Sequence, residues 1–380
     1  MTGTKATTDF DVVVVGAGPA GAATAIRSAG LGHSTLLVDR AQFPRDKVCG
    51  SCLHPRAVAD LRELSVQASA EALGAVPLER ARIGASGRWA ELPVAGAAAL
   101  SRWRLDAALI DVAQLAGAQV RTGVAARVEP NEPGSGRRRV RLGGGDEVVE
   151  ASLLIAADGL GGALLARVGE VTAPSDDGAR VGLGATFDDG GELDLPAGRV
   201  DLGVGRSGYV GLVRLEDGRV DLAAAADPSA LRAVGAAAAV AAVARECGLV
   251  LPAACVDASW AGTPSLTRHA ERPFAERALA VGDAAGYVEP FTGEGIAWAL
   301  ASARVTAEHL TRLLEGWSPE AAQDWARAQG AELDTARRRC ALVAGFVRHP
   351  AWVAALVPVV ARSRVIASLV ARFGYGRAHE

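Results

Sequence analysis

Lysine is nearly missing from this chain. Only Lys5 and Lys47 occur among its 380 residues, so chemistry built on a lysine nucleophile has two candidates at most. An excess of either charge is missing too. The net charge is −3, which leaves no electrostatic footprint for nucleic acid. No apolar run is long enough to span a membrane: His349 to Ala361, free of formal charge, is interrupted by Pro350 and Pro358 and falls short of the ~18 residues required. The stretch Met1 to Asp9 is polar and lacks the apolar segment of a secretory signal. The expectation is a cytoplasmic protein with its five cysteines reduced. Cys49 and Cys52 form C-x-x-C, but Cys247, Cys255 and Cys340 offer no second pair with zinc-site spacing. What remains, half hydrophobic and 22% charged, is ordinary globular composition with material for two domains sharing one ligand.

The strongest positive signal is Phe10 to Gly21. Val12 to Val15 is a β-branched run suited to a strand buried on both faces of a parallel sheet. Gly16, Gly18 and Gly21 then spell G-x-G-x-x-G ahead of a helical stretch that includes Ala20 and runs to Ala29. In that order the first glycine permits a tight turn, the second lets a pyrophosphate approach the backbone, and the third lets helix and strand pack closely. The helix start presents free N–H groups and a positive dipole end. Pro19 fits the first turn, where its missing N–H costs nothing. A second apolar run, Thr35 to Val38, ends at Asp39 beside Arg40, and a carboxylate there can accept both ribose hydroxyls. Strand, glycines, helix, strand and acid together indicate an ADP-containing dinucleotide.

A related signal comes late in the chain. Ala278 to Gly282 reads as a strand ending in Asp283; the turn through Pro290 and Gly293 leads to Gly295 and a helix from Ile296 to Leu314. The acid can hold a polyol chain, and the helix start can face an electron-accepting ring. Two strand-end acids favour a long, two-ended cofactor. FAD is one; NAD alone would leave Asp283 without a task.

Between these signals, Ala81 to Leu92 reads as strands, Leu105 to Leu115 as a helix, and Val120 to Val128 with Val140 to Leu142 as strands around a solvated hairpin at 130–139. Leu153 to Gly159 is a further buried strand ending in Asp158-Gly159, followed by a helix over Ala163 to Val168. Ala179 to Ala226 alternates in short strands with Gly and Asp turns, the pattern of an antiparallel sheet. Leu231 to Glu246 reads as one helix. Gly203 to Gly208 also matches G-x-G-x-x-G, but strand residues follow it, so it is rejected as a second dinucleotide site. The expected architecture is α/β: a Rossmann-like, mostly parallel FAD domain over 1–75, 100–180 and 262–325, an antiparallel substrate domain over 76–99 and 181–261, and a C-terminal helical cap over 326–380. Within that cap, Arg337 to Phe373 is expected to cover the substrate region.

The ordered set Gly16-x-Gly18-x-x-Gly21, Phe43 to Gly50, Arg102 with Leu105-Asp106, Ala157 to Gly159, and Gly282 to Gly295 resembles the single-component FAD-dependent monooxygenases. More narrowly, it is similar to their geranylgeranyl reductase-like relatives. The resemblance implies that Asp39 holds the adenosine ribose, that backbone at Cys49 and Gly50 approaches FAD, and that Arg102 neutralises the pyrophosphate. It implies backbone contact from Ala126 at the adenine end, Asp283 on the ribityl chain, Gly295 and Ile296 N–H groups at the flavin's pyrimidine edge, and a role for Asp158 toward FAD and NAD(P)H. The chain departs from the family at Gly162, where a serine is usual, at Arg167, where the following arginine is displaced, and at Tyr209 to Arg214, which lacks the prenyl reductases' aromatic strand. Halogenases need a lysine beyond the start of the FAD domain and a Trp-x-Trp-x-Ile-Pro segment, and neither is present here. The implied activity is an NAD(P)H-dependent monooxygenase acting with molecular oxygen on a hydrophobic aromatic, phenolic or polyketide-type molecule. The alternatives are reduction of prenyl double bonds and a flavoprotein dithiol exchanger using Cys49 and Cys52. His54 and Tyr209 are the nearest guesses for a base, and neither is assigned a catalytic role.

Overall fold

The structure, a computed structural model, describes residues 8–65, 69–132 and 134–375; Lys5 and most of the Met1–Asp9 stretch lie outside them. Strand β1 (Thr8–Val15) is central to the first sheet. Val12, Val13 and Val14 are fully buried, which is why the run carries no polar face. It pairs in parallel with β2 (Thr35–Asp39) and with the strand Glu147–Ala156. Gln119–Thr122 extends the parallel sheet beyond β2, and Ala278–Ala280 extends it beyond Glu147–Ala156. Antiparallel pieces finish the edges: Phe274–Ala275, and a ribbon of Ala126–Val128 with Arg138–Leu142. Helix α1 (Pro19–Gly30) packs with Arg102–Leu115 and Gly295–Glu315 on one face. The carboxyl ends of β1, β2, Glu147–Ala156 and Ala278–Ala280 meet at Gly16, Asp39, Asp158 and Asp283. This is the crevice where open α/β sheets bind ligands.

The second sheet runs Ala261–Ser265, Val181–Phe187, Val220–Ala226, Gly208–Arg214, Arg199–Gly205, Val76–Ala85, Arg88–Ala99 and Cys52–Leu53. It is antiparallel except for one pair. Arg199–Gly205 lies parallel to Val76–Ala85. The chain passes through the first sheet between those two strands, so no hairpin constrains their direction. Cys52–Leu53 joins this sheet from within a segment expected to belong wholly to the FAD domain. The C-terminal helices Pro319–Val347, Pro350–Arg362 and Arg364–Tyr375 follow, and the last two pack on the Val76–Ala99 hairpin. The first of them runs unbroken through the expected boundary at 325/326.

Three local expectations are corrected. The helix expected over Leu231–Glu246 is two, Pro228–Val234 and Ala236–Glu246, because Gly235 takes φ +80° and breaks the ladder. The helix after Asp158 is only Ala163–Ala166, preceded by a tight turn at Gly159–Gly161. In the arginine-rich hairpin, Arg138 is buried, donating to Glu170 at 3.0 and 2.8 Å and to the Glu276 carbonyl.

Candidate functional site

At the phosphate end, the glycines behave as their spacing predicts. A Cβ on Gly16 would lie 2.2 Å from the Ala157 carbonyl oxygen, and one on Gly21 would lie 1.8 Å from the Gly16 carbonyl oxygen. Helix α1 starts at Pro19 with Gly18 as its N-cap and no side-chain cap, so its first amides are left for a ligand. Arg102 faces this turn: its Nη2 is 3.7 Å from the position a Gly18 Cβ would occupy. The guanidinium is held by Asp106, donating to it at 2.8 and 2.6 Å, and Arg45 reaches the same carboxylate at 3.2 Å. Burial works against the Arg102 charge, but Asp106 outweighs it and raises the guanidinium pKa. Asp39 accepts from the Ala17 amide at 2.7 Å and the Ala41 amide at 2.8 Å. It therefore ties β2 to the glycine turn, and each oxygen keeps a lone pair for a ribose hydroxyl.

At the other end Asp283 faces the same cavity, and its carboxylate has no hydrogen-bond partner among the described residues. Burial raises its pKa, opposed by the charges of Lys47, Arg102, Arg337 and Arg268. Lys47 lines the cavity as well, and burial and the like charge of Arg102 lower its ammonium pKa. Beyond Asp283, Glu289 and Glu294 bracket the turn that carries Pro290 and Gly293. Both carboxylates are buried and directed into the protein. Glu289 accepts from Arg180 at 3.3 Å and Arg348 at 3.1 Å. Glu294 accepts from Trp298 Nε1 at 3.1 Å and pairs with Arg339. Gly295 opens the following helix and is itself required, since a Cβ there would meet the Tyr287 hydroxyl at 2.9 Å.

One cavity of about 530 Å³ connects the two ends. Gly18, Ala20, Arg40, Cys49, Gly50 and Arg102 lie on its wall toward α1, and Asp158, Asp283, Pro290, Gly293, Gly295 and Ile296 continue it. Gly16, Gly21 and Asp39 stand behind that wall as supports. Ala126 starts an edge strand and does not reach the cavity. Asp158 lines the cavity, but its Oδ2 caps Ala163 and Leu164 at 2.7 and 2.9 Å. The serine-to-glycine departure has a steric basis: a Cβ on Gly162 would come within 2.8 Å of the Arg268 guanidinium, which donates to the Leu160 carbonyl.

The second sheet closes the cavity with apolar residues, among them Leu183, Val200, Leu202 and Tyr209, and Leu266 and Phe291 from the adjoining turns add to that wall. Tyr209 stands edge-on to Phe291 at 4.9 Å, and burial pushes its phenol pKa well above the ordinary value. His54 is not on the wall. It caps the helix Pro55–Leu64 through Nδ1 and lies 3.8 Å from Glu294. Cys49 and Cys52 are on the wall, but burial raises both thiol pKa values and disfavours thiolates. The rejected glycine motif is a strand turn: Arg199–Gly205 and Gly208–Arg214 pair antiparallel, and Gly203 and Gly205 make room for Cys247, Val243 and Glu246.

These features fit FAD. There are unpaired helix amides at both ends, a carboxylate without a hydrogen-bond partner among the described residues at one of them, a cationic side chain at the glycine turn, and no room for a Cβ at Gly16 or Gly21. Lys47, Arg268 and Arg337, which come together around Asp283, were not picked out as site residues from the sequence. They lie far apart in the chain, and only the position of Lys47 within the Phe43–Gly50 motif hinted at a role.

Comparison with known proteins agrees. Residues 9–189 match the FAD binding domain family. A menaquinone reductase of Mycolicibacterium smegmatis is 37% identical over 158 residues, 40% of this chain and 38% of that protein. A menaquinone reductase of Mycobacterium tuberculosis is 59% identical over 56 residues, 15% and 14%. The matches thus span less than half the length of these curated relatives. Among solved structures, a geranylgeranyl bacteriochlorophyll reductase-like protein of Thermoplasma acidophilum superposes with a TM-score of 0.81 at 20% identity, covering 97% of this chain and 95% of that one. At this identity the likeness is one of fold. The family match covers residues 9–189, just under half of the chain, and shows an FAD binding domain there.

Proposed function

We propose that this flavoprotein is an NAD(P)H-supplied reductase of a long apolar substrate of the isoprenoid or quinone-lipid class. The observation that carries the reading is the substrate wall. It is apolar, and no histidine or glutamate lines the cavity among the described residues. Oxygenation of a phenol needs a group that takes the phenolic proton. Tyr209 is held protonated, His54 is off the wall, and Asp283 belongs to the cofactor end. Reduction takes no proton from the substrate; it adds a proton with each hydride, and water or the protonated Tyr209 phenol on the wall can supply it. The names of the curated relatives support the same class. Bound FAD supplies the hydride or electron transfer, while the chain holds the cofactor at both ends, orients the substrate on the second sheet, and excludes water.

Oxygenation of a hydrophobic ring with molecular oxygen is the second reading, favoured by the domain shared with the monooxygenases. Dithiol exchange is disfavoured by the protonated thiols. With no second dinucleotide fold among the described residues, NAD(P)H would meet the cofactor from the open side near Asp158 and the loop carrying Arg45 and Lys47. One experiment separates the readings. The FAD-loaded protein is reduced anaerobically by NADH or NADPH, then mixed with menaquinone in detergent or with oxygen plus phenolic substrates. Anaerobic reoxidation by the quinone lipid with turnover supports the proposal. Reoxidation only by oxygen, with a hydroxylated product, overturns it in favour of the oxygenase.

A further inference from the structure

The last two helices lack the polar outer face of an ordinary surface helix. On Pro350–Arg362, Val353, Val357 and Val360 turn inward, and the opposite face shows Trp352, Ala355 and Val359, with Arg362 as its only charge. On Arg364–Tyr375, Ala367 and Ala371 turn inward, and Val365, Leu369 and Phe373 form the outward stripe at i, i+4 and i+8. Trp352 is 55% exposed, Val365 70%, Leu369 58% and Phe373 55%. Helices apolar on both faces are expected inside a core or against a hydrophobic phase, and an exposed patch of large apolar side chains marks an interaction surface.

The charge on these two helices is all of one sign. Between Asp334 and Glu380 there is no acidic residue and there are eight arginines, although the chain as a whole is net negative. Arg362, Arg364 and Arg372 are exposed and make no ion pair with any described residue. A two-fold pairing of this face with a second copy would set these arginines against one another. An anionic lipid surface complements both features at once, taking the apolar stripe below the headgroups and the guanidiniums at their level, with Trp352 suited to the boundary. No single described helix is long and apolar enough to cross a membrane, and Pro319–Val347 meets Pro350–Arg362 at 101°. The patch also adjoins the cavity: a Cβ on Gly374 would lie 3.7 Å from Thr292, which lines it.

We propose that Pro350–Arg362 and Arg364–Tyr375 form an interfacial platform that binds the surface of an anionic phospholipid bilayer. The proposal is independent of the redox reading, because its test uses vesicles that carry neither quinone nor isoprenoid. FAD-loaded protein is sedimented with vesicles of pure phosphatidylcholine or with ~40% phosphatidylglycerol, at low and high salt. Binding to the anionic vesicles, weakened at least tenfold by 0.5 M salt, is expected from the screening of surface charge. The variant R362Q/R364Q/R372Q should lose on the order of tenfold or more of the anionic preference. The variant W352S/L369S/F373S should lose binding to both vesicles while retaining its flavin absorbance and melting temperature. Absence of binding to either vesicle, or equal binding to both, overturns the assignment. So does a dimer in light scattering that the W352S/L369S/F373S variant abolishes, since the face would then belong to a second copy.

Discussion

Arg102 serves two neighbours, and its replacement by alanine separates them. Asp106 is fully buried, and Arg102 is its bidentate partner at 2.8 and 2.6 Å. Removing one partner of a buried pair costs ~3–5 kcal/mol because the other charge is left uncompensated. Arg45 remains 3.2 Å from Asp106, so the loss in apoprotein stability should fall near the low end of that range. The second effect is on FAD. A charge-assisted hydrogen bond to a phosphate contributes ~1.5–3 kcal/mol, which is roughly 10- to 150-fold in Kd. Denaturant melts of the apoprotein and flavin-fluorescence titrations measure the two effects separately. The double variant R102A/D106A then decides the assignment. Deleting the orphaned carboxylate should restore much of the stability and leave FAD binding as weak as in R102A. If the double variant regains FAD affinity along with stability, or if R102A binds FAD within threefold of the parent, Arg102 is only a structural ion pair and the pyrophosphate role is refuted.

Three further outcomes are expected. Asp283→Ala should weaken FAD by ~1–3 kcal/mol through the lost polyol hydrogen bonds, while breaking no hydrogen bond between described residues and removing a charge that offsets Lys47, Arg268 and Arg337; unchanged FAD affinity would remove it from the site. Burial raises the Asp221 pKa to about 7, above its unfolded value near 4; the folded state therefore holds the proton more tightly, and stability is full below pH ~4 and falls as pH rises to about 7. Asp221→Asn should flatten that loss, which melting temperatures at pH 5 and pH 8 would reveal. Gly205→Ala places a Cβ 2.9 Å from Glu246 and 3.3 Å from the Val243 backbone, so it should lower the melting temperature while leaving flavin reduction by NAD(P)H within a few-fold; selective loss of reduction with the sheet intact would make the rejected glycine motif a nicotinamide site.

The dinucleotide unit was legible because its information is local. A buried strand, a turn that excludes Cβ atoms and a helix start fall within Phe10 to Gly30, and each leaves its own residue type. The same holds at Ala278 to Ile296. Local spacing could not report the direction of Arg199–Gly205 against Val76–Ala85, because the contact joins segments more than a hundred residues apart. Nor could it show that Arg138 is buried. Its partner, Glu170, lies beyond the next strand and helix, and an arginine in a Gly- and Pro-rich stretch reads as solvated until that partner is placed.

The turn carrying Pro290 and Gly293 shows the same limit at the centre of the site. From sequence, Glu289 and Glu294 are two acids beside a glycine-rich loop, and they could equally face the cofactor. In the fold they face the opposite way. Burial raises both carboxyl pKa values, and the arginines that offset it include Arg348 and Arg339 of the C-terminal helical segment. With one carboxylate on each side of it, the turn cannot shift without exposing or unpairing a buried charge, at a cost of several kcal/mol. The backbone at Gly295 and Ile296 is therefore set by ion pairs to a helix that makes no part of the dinucleotide motif. The helix Pro319–Val347 and its C-cap are thus joined to the turn at 290–295 by buried ion pairs.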